Sequence, residues 1–111
     1  MSNENRNPHD AVDYILINGK NFAKAKAERC YLEEYRKSLK AILMKRSMES
    51  AIGAQEREAY AHPEYDTLLK GLKEAIEIEE KLRWDLIGAQ ARVEIWKANT
   101  YTDSRVDKLL K

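Results

Sequence analysis

Residues that interrupt helices are scarce in this 111-residue chain, which contains only two prolines and four glycines. A single cysteine, Cys30, excludes a disulfide framework within the chain. No apolar run approaches the roughly 18 residues that a membrane-spanning helix needs. The first ten residues, MSNENRNPHD, lack the apolar core of a secretory signal. Together these absences predict a cytoplasmic protein that does not enter a membrane.

Residue types that bind metals or carry out catalysis are equally few. One cysteine and two histidines cannot supply the four ligands of a structural zinc site. The four glycines are isolated from one another, so no phosphate-binding loop is present. Cys30 has no histidine near it in sequence, and we expect a buried thiol there instead of a nucleophile. We therefore predict a non-enzymatic protein without a catalytic residue, a cofactor or a metal site.

The composition that remains, rich in Ala, Glu, Lys, Leu and Arg, is typical of long helices. The pattern predicts an all-α fold, a long antiparallel helical hairpin with a short connecting helix, coiled-coil-like packing and assembly into an oligomer. The predicted segments are a flexible N-terminus (1–8), a helical hairpin domain (9–98) and a short C-terminal helix or tail (99–111). Within the hairpin domain the predicted helices span 9–49, 52–60 and 63–98.

The clearest periodicity lies in the third predicted helix. Tyr65, Leu72, Glu79, Leu86 and Val93 recur every seven residues, and apolar residues fill the alternate positions. This spacing predicts a stripe that packs against another helix over nearly five heptads. Glu79 is the one acid on the stripe, and an acid there needs a partner. That partner could be a basic residue of the first helix, or the acid could set the register of the packing.

The first predicted helix carries two apolar stripes, which indicates at least two neighbours. Small side chains dominate one stripe, which could accept a closely packed helix: Val12, Leu16, Gly19, Ala23, Ala27 and Cys30. The second stripe, together with a tryptophan of the third helix, is predicted to contact another subunit or a partner protein: Tyr31, Tyr35, Leu39, Ile42 and Trp84.

Charge is distributed unevenly although the net charge is only +1. Residues 20–46 carry nine basic and three acidic side chains, whereas residues 49–80 carry nine acidic and three basic ones. Five cations of the first helix share about 100° of arc, and an aromatic ring lies at its edge: Lys26, Arg29, Arg36, Lys37, Lys40 and Phe22. This face could follow a phosphate backbone, with the ring stacking on a base. It could equally face the acidic helix or an acidic protein.

Two runs carry a resemblance to small helical proteins of unknown function encoded by tailed phages and prophages. They are DYILINGKNFAKAKAERCYLEEYRKSLKAILM and QEREAYAHPEYDTLLKGLKEAIEIEEKLRWDLIGAQARVEIWK, within residues 11–97. The segments AYAHPEY and LRWDLIGAQARVEIWK are the most specific. Genes of this group often lie near recombination and single-strand DNA functions. The resemblance implies a bacterial host cell and a setting in DNA metabolism, and it supplies no catalytic residue.

These observations lead to two hypotheses of different kinds. In the first, the protein is an accessory factor of phage DNA recombination or replication that binds single- or double-stranded DNA, or a recombination protein bound to DNA. In the second, it is a protein-interaction module without nucleic-acid contact, such as an inhibitor of a host protein or a helical spacer. Self-association is expected in both.

Overall fold

The computed structural model describes residues 8–110, which form three helices and no strand. Helix α1 spans Pro8–Arg46, α2 spans Ile52–Ala61 and α3 spans Pro63–Leu110. The predicted all-α helical hairpin with a short connecting helix is confirmed. The first helix ends three residues before the predicted boundary. The predicted flexible N-terminus lies outside the described residues, except that Pro8 already begins α1.

A single residue, His62, separates α2 from α3 and serves both of them. Its backbone N–H donates to the carbonyl oxygen of Ala59 (3.2 Å), and its own carbonyl accepts the N–H groups of Tyr65 and Asp66. Its Nδ1 accepts the backbone N–H of Glu64 at 3.0 Å. Because the first N–H groups of a helix have no partner within the helix, this side chain acts as the N-cap of α3. Pro63 then occupies the first helical position, where its missing N–H costs nothing.

The described residues divide into two compact units, each with its own packing. The tip unit comprises residues 23–80, that is, the second part of α1, all of α2 and the start of α3. Its core contains Leu39, Leu43, Ala59 and Tyr65. Arg46 pairs with Glu64 and Arg29 pairs with Glu79, so increasing residue number in α1 matches decreasing residue number in α3. The two long helices of this unit are therefore antiparallel.

The predicted heptad stripe of α3 is the face that packs inside the chain. Tyr65, Leu72 and Glu79 are buried, and the next two positions of the series, Leu86 and Val93, are half-buried. The alternate positions follow the same pattern as far as Ala89, which is buried. The regular sequence spacing therefore translated directly into a buried face.

The buried face of α1 differs from both predicted stripes. It also repeats every seven residues, through Ala11, Ala25, Leu32 and Leu39, but polar side chains occupy several of the remaining seam positions: Asn18, Arg29 and Arg36. The small-residue stripe that we expected to be covered is mostly exposed in this chain. Cys30, predicted to be a buried thiol, is exposed as well. A helical wheel that considers only apolar residues could not identify this seam, because the seam contains two arginines and an asparagine.

The open-end unit comprises residues 8–22 of α1 and 81–110 of α3. Only two of its described residues are buried, and both are alanines, Ala11 and Ala89. The predicted end of the third helix at Asn99–Thr100 is wrong, because α3 continues without a break to Leu110. Thr102, within this continuation, donates its hydroxyl to the Ala98 carbonyl oxygen at 2.9 Å. Every residue from 94 to 110 is exposed.

Candidate nucleic-acid interface

The six residues predicted to contact nucleic acid are divided between the two units. Phe22 is half-buried in the open-end unit, whereas the five cations belong to the tip unit. The cations themselves divide into two sets. Three are half-buried and lie at or beside the buried face of α1: Arg29, Arg36 and Lys40. The other two, Lys26 and Lys37, are exposed.

Arg29 is fully engaged by acids of its own chain. Its Nε donates to Oε2 of Glu79 at 2.7 Å and its Nη2 to Oε1 of the same carboxylate at 2.9 Å. Its Nη1 donates to Oε2 of Glu33 at 3.0 Å. These hydrogen bonds, first those to Glu79 and then that to Glu33, raise the pKa of Arg29 above its ordinary value. A phosphate group could reach this guanidinium only by displacing a carboxylate, so Arg29 is a poor candidate for DNA contact.

Glu79 has the basic partner that its place on the apolar stripe required. Only 8% of the residue is exposed, yet both carboxylate oxygens accept hydrogen bonds from Arg29. A buried carboxylate without such a partner would be strongly destabilising. The alternative in which a basic residue of the first helix pairs with Glu79 is confirmed.

Lys40 is also held within the tip unit. Its Nζ donates to Oε1 of Glu56 at 2.5 Å and lies 4.7 Å from the centre of the Tyr60 ring. The hydrogen bond to Glu56, and next the contact with Tyr60, raise the pKa of Lys40 above its ordinary value. Lys40 therefore attaches α2 to α1, and its charge is largely neutralised by Glu56.

Of the three half-buried cations, Arg36 is the one that remains available to an external ligand. It lines a groove of about 430 Å³ together with Lys37, Lys40, Tyr60 and Tyr65. Within residues 8–110 its guanidinium forms no ion pair or hydrogen bond with another side chain. A half-buried arginine without an acidic partner favours binding of an external anion, because its fixed fork of N–H groups matches carboxylate and phosphate geometry.

Lys26 and Lys37 extend this positive surface along α1. Lys37 approaches Glu34 at 3.4 Å, but both side chains are more than 70% exposed, so water and salt weaken that pair. We call Lys26, Arg36 and Lys37 the basic edge. The basic face predicted from the sequence is thus reduced from five cations to three, with Arg29 and Lys40 serving the chain's own packing.

A second surface of α1 lies on the other side of its buried stripe from the basic edge. Tyr31 and Tyr35 are 63% and 37% exposed, and their rings stack with centroids 6.0 Å apart and planes 11° from parallel. Tyr35 also lines an apolar groove of about 420 Å³ with Leu39, Pro63 and Leu68. We call Tyr31 and Tyr35 the tyrosine edge.

The other residues predicted at a partner interface fall in different places. Leu39 is only 5% exposed and belongs to the core of the tip unit, so most of its side chain is unavailable to a partner. Ile42 is exposed on α1. Trp84 belongs to the open-end unit, where it is 61% exposed and lies under the guanidinium of Arg83 at 5.4 Å.

Sequence reasoning missed the contribution of α2 to the groove beside the basic edge. Tyr60 and Tyr65 meet edge to face, with ring centroids 5.3 Å apart, and Tyr60 contacts Lys40. The sequence does contain a signal, the aromatic pair flanking His62-Pro63 in AYAHPEY, but its link to Lys40 depends on how α2 folds back. No helical periodicity within one element encodes that contact.

A scan against protein-family models, a search of curated proteins and a search of solved structures each found no match for this chain. Among residues 8–110 there is no cluster of three or more metal-binding side chains. In the same range, no helix is both long and apolar enough to cross a membrane.

Proposed function

We propose that this protein is a non-enzymatic accessory factor of phage DNA recombination or replication, acting in the cytoplasm of the bacterial host. It would bind the DNA backbone through the basic edge, alone or beside a recombination protein already on DNA. The observation that carries this proposal is Arg36, an arginine without an acidic partner among the described residues, set in a groove with two tyrosines. The phage setting comes from the sequence resemblance described above.

The chemistry of the groove favours a phosphate over a free carboxylate ligand. Arg36 can donate two parallel hydrogen bonds to one phosphate, and Lys37 adds a mobile point charge beside it. Lys26 lies ten residues earlier on the same helix, about 15 Å away along its axis. That distance spans two or more phosphates of an extended single strand. Tyr60 is exposed at the same groove and offers an aromatic ring to a base.

Fluorescence anisotropy tests this function directly. A labelled single-stranded oligonucleotide and its duplex would be titrated with the full chain at 50 mM and 200 mM salt. We expect binding at 50 mM that weakens steeply at 200 mM, because phosphate contacts release counterions. Arg36→Gln should weaken binding at least about fivefold, which corresponds to about 1 kcal/mol.

The chain offers a matched control for this experiment. Lys45 is an exposed cation of the same helix on the side opposite Arg36, so Lys45→Gln removes the same charge away from the basic edge. Equal losses from the two variants would mean that only total charge matters. The absence of any binding at 50 mM salt would refute the direct-DNA proposal.

A second function, a protein-interaction module without nucleic-acid contact, is favoured by the tyrosine edge. Two stacked, exposed tyrosines beside an apolar groove resemble the aromatic anchors that dominate protein interfaces. A pull-down from host lysate treated with nuclease tests it. Recovery of one stoichiometric partner that is lost in Tyr31→Ala and retained in Arg36→Gln would favour this function over DNA binding.

A further inference from the structure

The far part of α3 carries a second apolar stripe on the face opposite to the one that packs inside the chain. The stripe consists of seven apolar residues and one threonine, spaced by 3, 4, 4, 3, 4, 4 and 3 residues: Trp84, Ile87, Ala91, Ile95, Ala98, Thr102, Val106 and Leu109. All eight are exposed in the chain. At 1.5 Å per residue the stripe is about 38 Å long. The charged residues Glu77 and Glu80 precede it, so it is confined to the open-end unit.

A continuous exposed stripe of this kind is expected to pack against another surface. Most helical stability in proteins comes from packing of an apolar face. Residues 94–110 of α3 are nonetheless helical with no residue buried. At the very end of the stripe, Leu109 is 82% exposed. The spacing of 3 and 4 is that of a coiled-coil seam, so the cover it fits is another helix.

The order of the spacings indicates which helix covers the stripe. The series reads the same from either end, so an antiparallel copy of the stripe brings every member opposite another member. The outer layers then pair Trp84 with Leu109 and Ile87 with Val106 of the second copy. A two-fold interface has this property, because a residue that contacts a second residue across the axis is contacted in the same way in return.

The inner layers favour this orientation over a parallel one. In the antiparallel pairing Ile95 faces Ala98, and Ala91 faces Thr102, so each layer near the centre places an alanine opposite a larger side chain. In a parallel, in-register pairing Ala91 would face Ala91, between the paired isoleucines of positions 87 and 95, and Ala98 would face Ala98 beside the second of these pairs. Such layers would leave gaps, and gaps are costly in packed interfaces.

Charges beside the stripe are complementary in the same orientation. Arg92 and Asp103 lie on one flank of the stripe, and neither forms an ion pair with another residue of the described chain. In the antiparallel pairing, Arg92 of one copy lies within one helical turn of Asp103 of the other, and the two-fold axis repeats the pair. Flanking pairs of this kind select the partner and its direction in coiled coils.

We propose that two copies of this chain associate through residues 84–109 of α3, with the two stripes antiparallel. The dimer is independent of DNA binding, since the basic edge lies in the other unit. It places the two Trp84–Leu109 layers at opposite ends of a seam centred between Ile95 and Ala98.

Sedimentation equilibrium with the full chain tests the dimer. We expect twice the 12.9 kDa chain mass at micromolar concentration for the natural sequence. Ile95→Glu should give the monomer mass, because it places two carboxylates at the centre of the seam. Ile52→Glu is the matched control, the same substitution at an exposed isoleucine of α2. It should leave the dimer intact. A monomeric natural chain, or dissociation by Ile52→Glu but not by Ile95→Glu, would overturn the proposal.

Two further measurements keep the proposal testable if Ile95→Glu fails to fold. Asp103→Arg should weaken the dimer at least fivefold, and adding Arg92→Asp should restore it by exchanging the two charges. Spin labels at Lys108→Cys in a Cys30→Ser background report orientation. Antiparallel helices separate the two labels by about 35 Å along the axis. Parallel helices would bring the labels to about the 10 Å interaxial distance, and that result would refute the antiparallel arrangement.

Discussion

Arg29 and Glu79 form a two-pronged ion pair across the seam of the tip unit, with donor–acceptor distances of 2.7 and 2.9 Å. The two residues are fifty positions apart in the chain and occupy corresponding places on two heptad stripes. The pair aligns the helices, because a shift of α3 by one heptad would bring Leu72 or Leu86 to Arg29. In that case Arg29 and Glu79 would no longer lie opposite each other.

The first prediction follows from this pair. Arg29→Leu and Glu79→Leu should each lower the urea midpoint of unfolding, because each removes the two hydrogen bonds that join the opposite charges across the seam. The double variant should recover a large part of the loss, since it removes both charges together. Chemical denaturation of the three variants measures these midpoints, and independent, additive losses would contradict the coupling.

A second prediction separates the core of the tip unit from its surface. Leu39→Ala should destabilise the chain by about 2–5 kcal/mol, the usual cost of a cavity at a buried leucine. Ile42→Ala, three residues away but exposed, should stay within about 0.5 kcal/mol of the natural chain. Denaturant unfolding gives both values. Equal effects would show that Ile42 is as deeply packed as Leu39.

A third prediction concerns the cap of α3. His62→Ala should cost about 0.5–2 kcal/mol, because it removes the acceptor for the Glu64 N–H at the start of the helix. His62→Asn offers an equivalent acceptor and should retain most of the stability. If thermal unfolding shows both substitutions to be equally harmful, the side chain stabilises this joint in some way other than capping.

The fourth prediction tests the division of the basic face by salt dependence. Lys37→Gln should reduce the slope of log K against log salt by about 1, the contribution of one lost phosphate contact. Arg29→Gln should leave the slope unchanged, since its guanidinium already binds Glu79 and Glu33. Anisotropy titrations at four salt concentrations give the slopes. A change for Arg29→Gln as large as that for Lys37→Gln would argue against the assignment.

A fifth prediction uses the only thiol. Because Cys30 is exposed, a thiol reagent should modify it completely in the native protein without denaturant. Cys30→Ser should alter the free energy of unfolding by no more than about 0.5 kcal/mol. A thiol that reacts only after unfolding would mean that another molecule covers this face of α1.

The sequence predicted α3 much better than α1, and the reason is physical. The stripe from Tyr65 to Val93 contains one charge among many apolar residues, so its spacing identifies the buried face. The corresponding stripe of α1 contains Arg29 and Arg36, whose long side chains can lie in a seam and still reach an acid or the solvent. Counting apolar residues therefore selected the wrong faces of that helix.

The candidate site was predictable only in part for the same reason. The cluster of cations on α1 is visible in the sequence, but the removal of Arg29 and Lys40 from it depends on Glu79 and Glu56, which lie on other elements. The end of α3 was missed because Asn99 and Thr100 are weak helix formers that do not forbid a helix. Propensity differences of a few tenths of a kcal/mol do not decide a boundary.

The side-chain contacts of the tip unit also imply an order of folding. Contacts beside α2 join residues close in sequence: Ser47 to Glu58 over 11 positions and Lys40 to Glu56 over 16. The contact between Arg29 and Glu79, by contrast, joins residues that are 50 positions apart. Because closing a short loop costs less chain entropy than closing a long one, we expect the contacts around α2 to form first and pairing to spread outward from them. Substitutions near Lys40 should then slow refolding, whereas those at Glu79 should mainly accelerate unfolding.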